Sequence, residues 1–196
     1  ELVGARTSAP GGGSVSALIA AMGAALGAMM GWMSYGSKKF EHLDDKMRKL
    51  IPPLHENMMK LIPMIDADTN AFNDYMTAMK LPKGTEKESK LRNEKMQEGL
   101  KKAINVPLEV MRAADSCWPE MTELAKVGNI NSSSDLAVGA KSLETGIWGA
   151  YKNVEINLMQ IKHKKFKNEV MKEGKEILSR SQKKLAGIEK ILGGRK

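Results

Sequence analysis

From Val15 to Met33 nearly every position is apolar, and the residues are mostly Ala, Gly, Leu and Met. This stretch predicts a helix from Ser14 to about Ser34, with the Ser14 hydroxyl capping its free N–H groups and Gly36 ending it. It is long and apolar enough to cross a bilayer, and Gly23, Gly27 and Gly31 give two overlapping G-x-x-x-G spacings. All later segments are amphipathic, however. The first helix is therefore expected to be the closely packed centre of a soluble bundle rather than a membrane span.

A short helical piece over 38–50 is followed by Pro52-Pro53, which predicts a new helix to about Lys80 with a kink or break at Pro63. Thr85, with Glu88 three residues on, reads as a capping box opening a helix to about Ala114, bent at Pro107. Pro119 opens a short helix ending at Gly128, and Ser134 caps a long one over 135–161. The last helix covers about 165–191. No segment shows strand alternation long enough to compete. The expected fold is all-α, an up-and-down helical bundle around a Gly/Ala-rich helix, one domain over 1–192 with 193–196 as a disordered tail.

Composition narrows the chemistry. Cys117 is the single cysteine, which excludes an internal disulfide and fits a reducing, cytoplasmic setting. His42, His55 and His163 lie far apart, so no metal site is expected. The net charge of +8 invites a nucleic-acid reading, but no aromatic residues interleave with the Lys pairs. Solvated helix faces and a small polyanionic ligand are the preferred account, with no nucleic-acid partner.

Three groups of residues could carry chemistry. At about 100° per residue, Leu61, Ile65, Phe72, Tyr75 and Met79 share a face with Asp68 at its centre, while Asp66 points the other way. An inward carboxylate either gains a raised pKa, suiting it to acid/base work, or pairs with an inward Lys or caps another element. On the helix over 135–161, Gly139, Ser142, Gly146, Asn153 and Asn157 form a narrow track of small and amide side chains. Close helix packing and the approach of a flat ligand explain that track equally well. Finally, Ala9-Pro10-Gly11-Gly12-Gly13-Ser14 places three glycines, free to adopt positive φ, before a helix N-terminus that favours an anion. Without the Lys of a P-loop or a preceding strand it is not a nucleotide cradle.

Taken in order, these segments resemble the formiminotetrahydrofolate cyclodeaminase and methenyltetrahydrofolate cyclohydrolase family, which includes the cyclodeaminase domain of bifunctional enzymes. The resemblance runs through residues 4–14, Met33-Ser34-Tyr35-Gly36, Asp66-Ala67-Asp68 with Phe72, Met79-Lys80-Leu81-Pro82, Val106-Pro107-Leu108, Gly128-Asn129, Ser134-Asp135-Leu136 and residues 149–158. It implies an all-α fold that forms a homodimer or higher oligomer. In bifunctional members it implies a ring-like octamer joined to a formimidoyltransferase domain in a longer chain.

The implied reaction converts 5-formimidoyltetrahydrofolate to 5,10-methenyltetrahydrofolate and ammonia in histidine breakdown, with no bound cofactor and a polyglutamylated tetrahydrofolate as the expected substrate. The catalytic aspartate falls on Asp68. Pro10, Gly11, Gly12, Gly13, Ser14, Ser134, Asp135, Asn153 and Asn157 are expected to line the folate pocket, with Lys or Arg outside holding glutamate carboxylates. Lys152 and Glu155 stand where relatives carry aromatic or aliphatic residues, and they and Pro63 are the departures from the family pattern. A cyclohydrolase on the same fold and a catalytically silent oligomerisation domain are the alternatives.

Overall fold

In the computed structural model, which describes residues 2–195, six α-helices follow one another: α1 (Gly12–Ser34), α2 (Asp44–Met79), α3 (Glu86–Asp115), α4 (Trp118–Val127), α5 (Ser133–Leu158) and α6 (Lys164–Gly194). There is no strand among the described residues. The helical bundle expected from the sequence is therefore what forms.

Local signals explain most boundaries. Thr85 and Glu88 make the reciprocal capping box at the start of α3, with bonds of 2.8 and 3.2 Å. Gly36, at φ 69°, takes the left-handed conformation just after α1. His163 caps α6, its Nδ1 accepting from the Phe166 N–H at 3.1 Å.

Other expectations are corrected. α2 is one continuous helix that contains Pro52, Pro53 and Pro63: the new start expected at Pro52-Pro53 does not occur, and of the kink or break expected at Pro63 the break does not. The carbonyls these prolines leave unbonded belong to Arg48, Lys49 and Met59, all exposed residues, where solvent can take the place of the missing helix bonds. Ser134 does not cap α5: the N-cap is Ser132, and it makes no side-chain cap bond. At the far end, α6 continues through Gly194, and the Arg195 guanidinium donates to the carbonyls of Ala125 and Gly128 at 2.8 and 2.6 Å. Of the expected tail, only Lys196 lies outside the described residues.

The seam between α1 and α5 organises the bundle. A Cβ on Gly23 would stand 2.7 Å from the Gly139 carbonyl oxygen, and one on Gly146 would stand 2.8 Å from the Ala20 Cβ. Only residues without a side chain allow the two backbones this close. On its other flank α1 meets α2, and α3 and α4 cover the inner side. Ala17, Ala20, Ala24 and Met30 are accordingly fully buried.

One side of α1 stays uncovered. Although 61% of its most apolar stretch is buried, Leu18, Met22, Met29, Trp32 and Met33 are between 37% and 57% exposed. Met59 and Ile62 of α2 and Val138 of α5 extend this apolar surface on either flank. α1 is thus central to the chain in sequence contacts but forms the middle of an open, three-helix face.

Candidate active site

α1 begins at Gly12, while α2 and α5 run on past it. The space left beyond the helix start is a cavity of about 270 Å³, with α3 behind it. Asp68, Phe72 and Tyr75 come from α2, Asn153, Ile156 and Asn157 from α5, and Gly11, Gly12 and Gly13 form the α1 edge. Phe72 and Tyr75, which the sequence pattern assigns to a core stripe, are only half-buried and turn into this cavity.

Asp68 lies over the first turn of α1. Its Oδ2 accepts from the Ser14 hydroxyl at 3.0 Å, and the Ser14 N–H also reaches the carboxylate. It therefore caps another helix, one of the two roles foreseen for an inward carboxylate, and no Lys or Arg pairs with it among the described residues. Burial raises its pKa above the ordinary carboxylate value, and the two Ser14 bonds oppose that rise without cancelling it. Capping and acid/base competence coexist here.

The Ser14 hydroxyl has one proton, and it goes to Asp68. Its 3.2 Å contact with the Thr69 hydroxyl is then Thr69 donating to Ser14, which makes a chain Thr69 to Ser14 to Asp68. No sequence signal marked Thr69. Ser14 itself is inside the helix, and Gly11 is the N-cap. The expectation that Ser14 caps α1 is thus corrected: its side chain has a better acceptor in the carboxylate.

The glycines also act differently from expectation. Gly36 is the positive-φ glycine among the described residues, so 11–13 do not use left-handed backbone. Gly13 is needed for space, because a Cβ there would overlap the Asp68 carboxylate, and a Cβ on Gly12 would press on Asn153 Nδ2 at 3.3 Å.

Asn153 and Asn157 are fixed through their amide nitrogens, which donate to Gly149 O at 2.9 Å and Ala103 O at 3.0 Å. Their carbonyl oxygens remain available to accept from a ligand in the cavity. Gln160, unremarked in the sequence, accepts from the Tyr75 hydroxyl at 2.8 Å at the rim. Pro10 lines the groove on the other side of Ser14 rather than this cavity. Ser134 and Asp135 lie in the first turn of α5, about 28 Å along the helix from Asn153, so a single chain does not bring them to Asp68. Lys152 and Glu155 bond to each other at 2.9 Å on the outer side of α5.

This geometry has close counterparts. The Formimidoyltransferase-cyclodeaminase of Dictyostelium discoideum is 55% identical over 196 residues, covering 100% of this chain and 36% of that protein. The Methenyltetrahydrofolate cyclohydrolase of Methylorubrum extorquens is 34% identical over 170 residues, 87% of this chain and 82% of the relative. The crystal structure of formiminotetrahydrofolate cyclodeaminase from Thermotoga maritima superposes with a TM-score of 0.87 at 28% identity, over 98% of this chain and 92% of that one. The chain spans about a third of the length of the curated formimidoyltransferase-cyclodeaminases it matches. With the Formiminotransferase-cyclodeaminase family pattern matching residues 1–176 as well, helix order, seam and cavity lead to one conclusion: the chain belongs to that family.

Proposed function

We propose that this chain is a 5-formimidoyltetrahydrofolate cyclodeaminase, an ammonia-lyase acting on a folate in the cavity beyond α1. The observation that carries this reading is Asp68, a carboxylate with a raised pKa, no cationic partner and an open apolar and amide-lined space beside it.

The chemistry requires one proton to move. N10 of the folate attacks the carbon of the protonated formimidoyl group, and the C=N electron pair moves onto nitrogen. Asp68 takes the proton from N10 and delivers it to that nitrogen. The C–N bond then breaks, ammonia leaves, and the N5 lone pair completes the methenyl bridge, so Asp68 ends as it began. Phe72 and Tyr75 offer faces for the pterin ring, and the Asn153 and Asn157 oxygens accept from its N–H groups. Gly11, Gly12 and Gly13 allow the substrate close to the α1 N-terminus, and Ser14 and Thr69 orient the carboxylate.

The proposal extends to the setting: a cytoplasmic step of histidine degradation, a polyglutamylated folate, no resident cofactor, and a formimidoyltransferase domain in a longer parent chain. A homodimer is also proposed. The uncovered face of α1 supports it, since its half-exposed Met, Leu and Trp side chains with those flanking them present on the order of 900 Å², comparable to one side of a standard interface.

Release of ammonia from 5-formimidoyltetrahydrofolate tests the activity. The Methylorubrum relative favours a second reading, hydrolysis of methenyltetrahydrofolate. Loss of methenyl absorbance without ammonia would select it, and folate binding without either reaction would leave a silent assembly domain.

A further inference from the structure

The cavity is a slot between two stretches of chain that run in the same direction. At its inner end Gly13 lies against the Asp68 carboxylate of α2, and Gly12 against the Asn153 amide of α5. Seven residues further along each stretch, the Tyr75 hydroxyl donates to Gln160 Oε1 at 2.8 Å. Asp68, Tyr75, Gln160, Asn157 and Asn153 therefore follow one another around the cavity. Gln160 closes the corner between the wall that carries the carboxylate and the wall that carries the two amides.

That corner is held from outside the cavity. Gln160 lies in the turn that follows α5, and Gln97 of α3 spans this turn with both ends of its side-chain amide. Gln97 Nε2 donates to the Gln160 carbonyl oxygen, and Gln97 Oε1 accepts from the Lys162 N–H, each at 3.1 Å. An amide bonded to main chain at both ends cannot turn without losing both bonds. Gln160, although exposed, is thereby kept at the rim. Since its Oε1 is taken by Tyr75, its Nε2 is the end left to donate to a ligand. Asn153 and Asn157 have the opposite polarity, because their nitrogens are used on Gly149 and Ala103 and their oxygens are left to accept. Leading round to Asp68, the cavity offers acceptor, acceptor, donor.

A reduced pterin carries the complementary pattern. Its 2-amino group and N3–H donate, its 4-oxo oxygen accepts, and N5, which bears the formimidoyl group, comes next on the perimeter. Ring order and cavity order agree: the donors face Asn153 and Asn157, the oxygen faces Gln160, and the N5 substituent faces Asp68. A 4-amino pterin inverts two of these positions, since N3 loses its hydrogen and becomes an acceptor while position 4 becomes a donor. It sets acceptor against the Asn157 oxygen and donor against Gln160 Nε2. We propose that Gln160 is a specificity-determining residue that selects a 4-oxo over a 4-amino pterin, and that Gln97 is the positioning residue that holds it in place. This rests on the folate reading above and deepens it.

Isothermal titration calorimetry with 5-formyltetrahydrofolate and its 4-amino-4-deoxy analogue tests it, because the two compounds differ only at position 4 and in the N3 proton that position controls. Wild-type protein should bind the 4-oxo compound about tenfold more tightly. Gln160→Glu keeps an acceptor for the Tyr75 hydroxyl but turns the donor into an acceptor, and the preference should reverse. Gln97→Leu changes a residue that does not line the cavity, and it should bring the ratio of the two affinities close to one. A merely structural loss would weaken both compounds alike and leave that ratio where it was. Circular dichroism checks that the helices are intact in each variant. Equal affinities in wild type, or the wild-type preference in Gln160→Glu, overturn the proposal, and an unchanged ratio in Gln97→Leu overturns the part given to Gln97. Binding of neither compound refutes the folate reading and the proposal together. The predicted preference in a protein that releases no ammonia refutes only the cyclodeaminase reading.

Discussion

The two halves of α5 carry the same kind of side chain to opposite ends. In the first half, Gly139 and Gly146 meet the backbone of α1 so closely that no Cβ fits. In the second half, Asn153 and Asn157 face a cavity, because α1 has ended and its first residue, Gly12, has no side chain to fill the space. A single track of small and amide residues is thus both a seam and a binding wall, and the start of α1 decides where one becomes the other. Ligand space in this bundle is made by stopping a helix early.

That contrast predicts a gradient of effects. The largest belongs to the seam. Gly23→Val forces side-chain atoms into the Gly139 carbonyl and the Leu143 amide, both within 2.8 Å of a Cβ, and costs about 3 kcal/mol or more. Thermal denaturation should show Tm falling by about 10 °C, with activity lost only as the fold is lost. An unchanged melt would mean that the seam is looser than its geometry.

Gly13→Ala stands at the boundary. Its methyl group displaces the Asp68 carboxylate, so kcat should fall at least a hundredfold, about 3 kcal/mol. The side chain can swing into the cavity, and the stability loss should stay near 1 kcal/mol. Ser14→Ala is subtler. It removes a hydrogen bond that lowers the Asp68 pKa, so the acid limb of the pH–rate profile, already raised from the ordinary carboxylate value by burial, should move further up. A limb that stays in place would detach Ser14 from the chemistry. The smallest effect is expected from Asn153→Ala, which loses only a bond to Gly149 O one turn back. The KM should rise about tenfold while stability changes by about 0.5 kcal/mol or less.

Much of this was legible before any coordinates. The helix wheel placed Asp68 inward, and Thr85 with Glu88 announced its cap, because both depend on local spacing. The continuity of α2 was not legible: three prolines argue for breaks, and only the exposure of Arg48, Lys49 and Met59 shows why the helix survives them. The glycine turn was recognised as special for a reason that proved secondary, since what Gly13 supplies is room for a carboxylate from another helix. Thr69 and Gln160 carry no local signature at all, and their roles come from tertiary contacts 55 and 85 residues away. Ser134 and Asp135 share a helix with the cavity residues but sit five turns away, so a motif on one helix need not serve one site.

The most direct test compares the wild-type chain with Asp68→Asn. Asparagine fills the same space and removes a carboxylate whose raised pKa makes its ionised form a burden on the fold. Sign and window follow from that direction: the native state holds the proton more tightly than the unfolded chain. Asp68 therefore costs stability increasingly as pH rises from its ordinary value through its raised one, and the variant should melt no lower than wild type at neutral pH. Ammonia release from 5-formimidoyltetrahydrofolate, with circular dichroism as the control, should be abolished in a variant whose helices are intact. Wild-type turnover in Asp68→Asn would contradict the account.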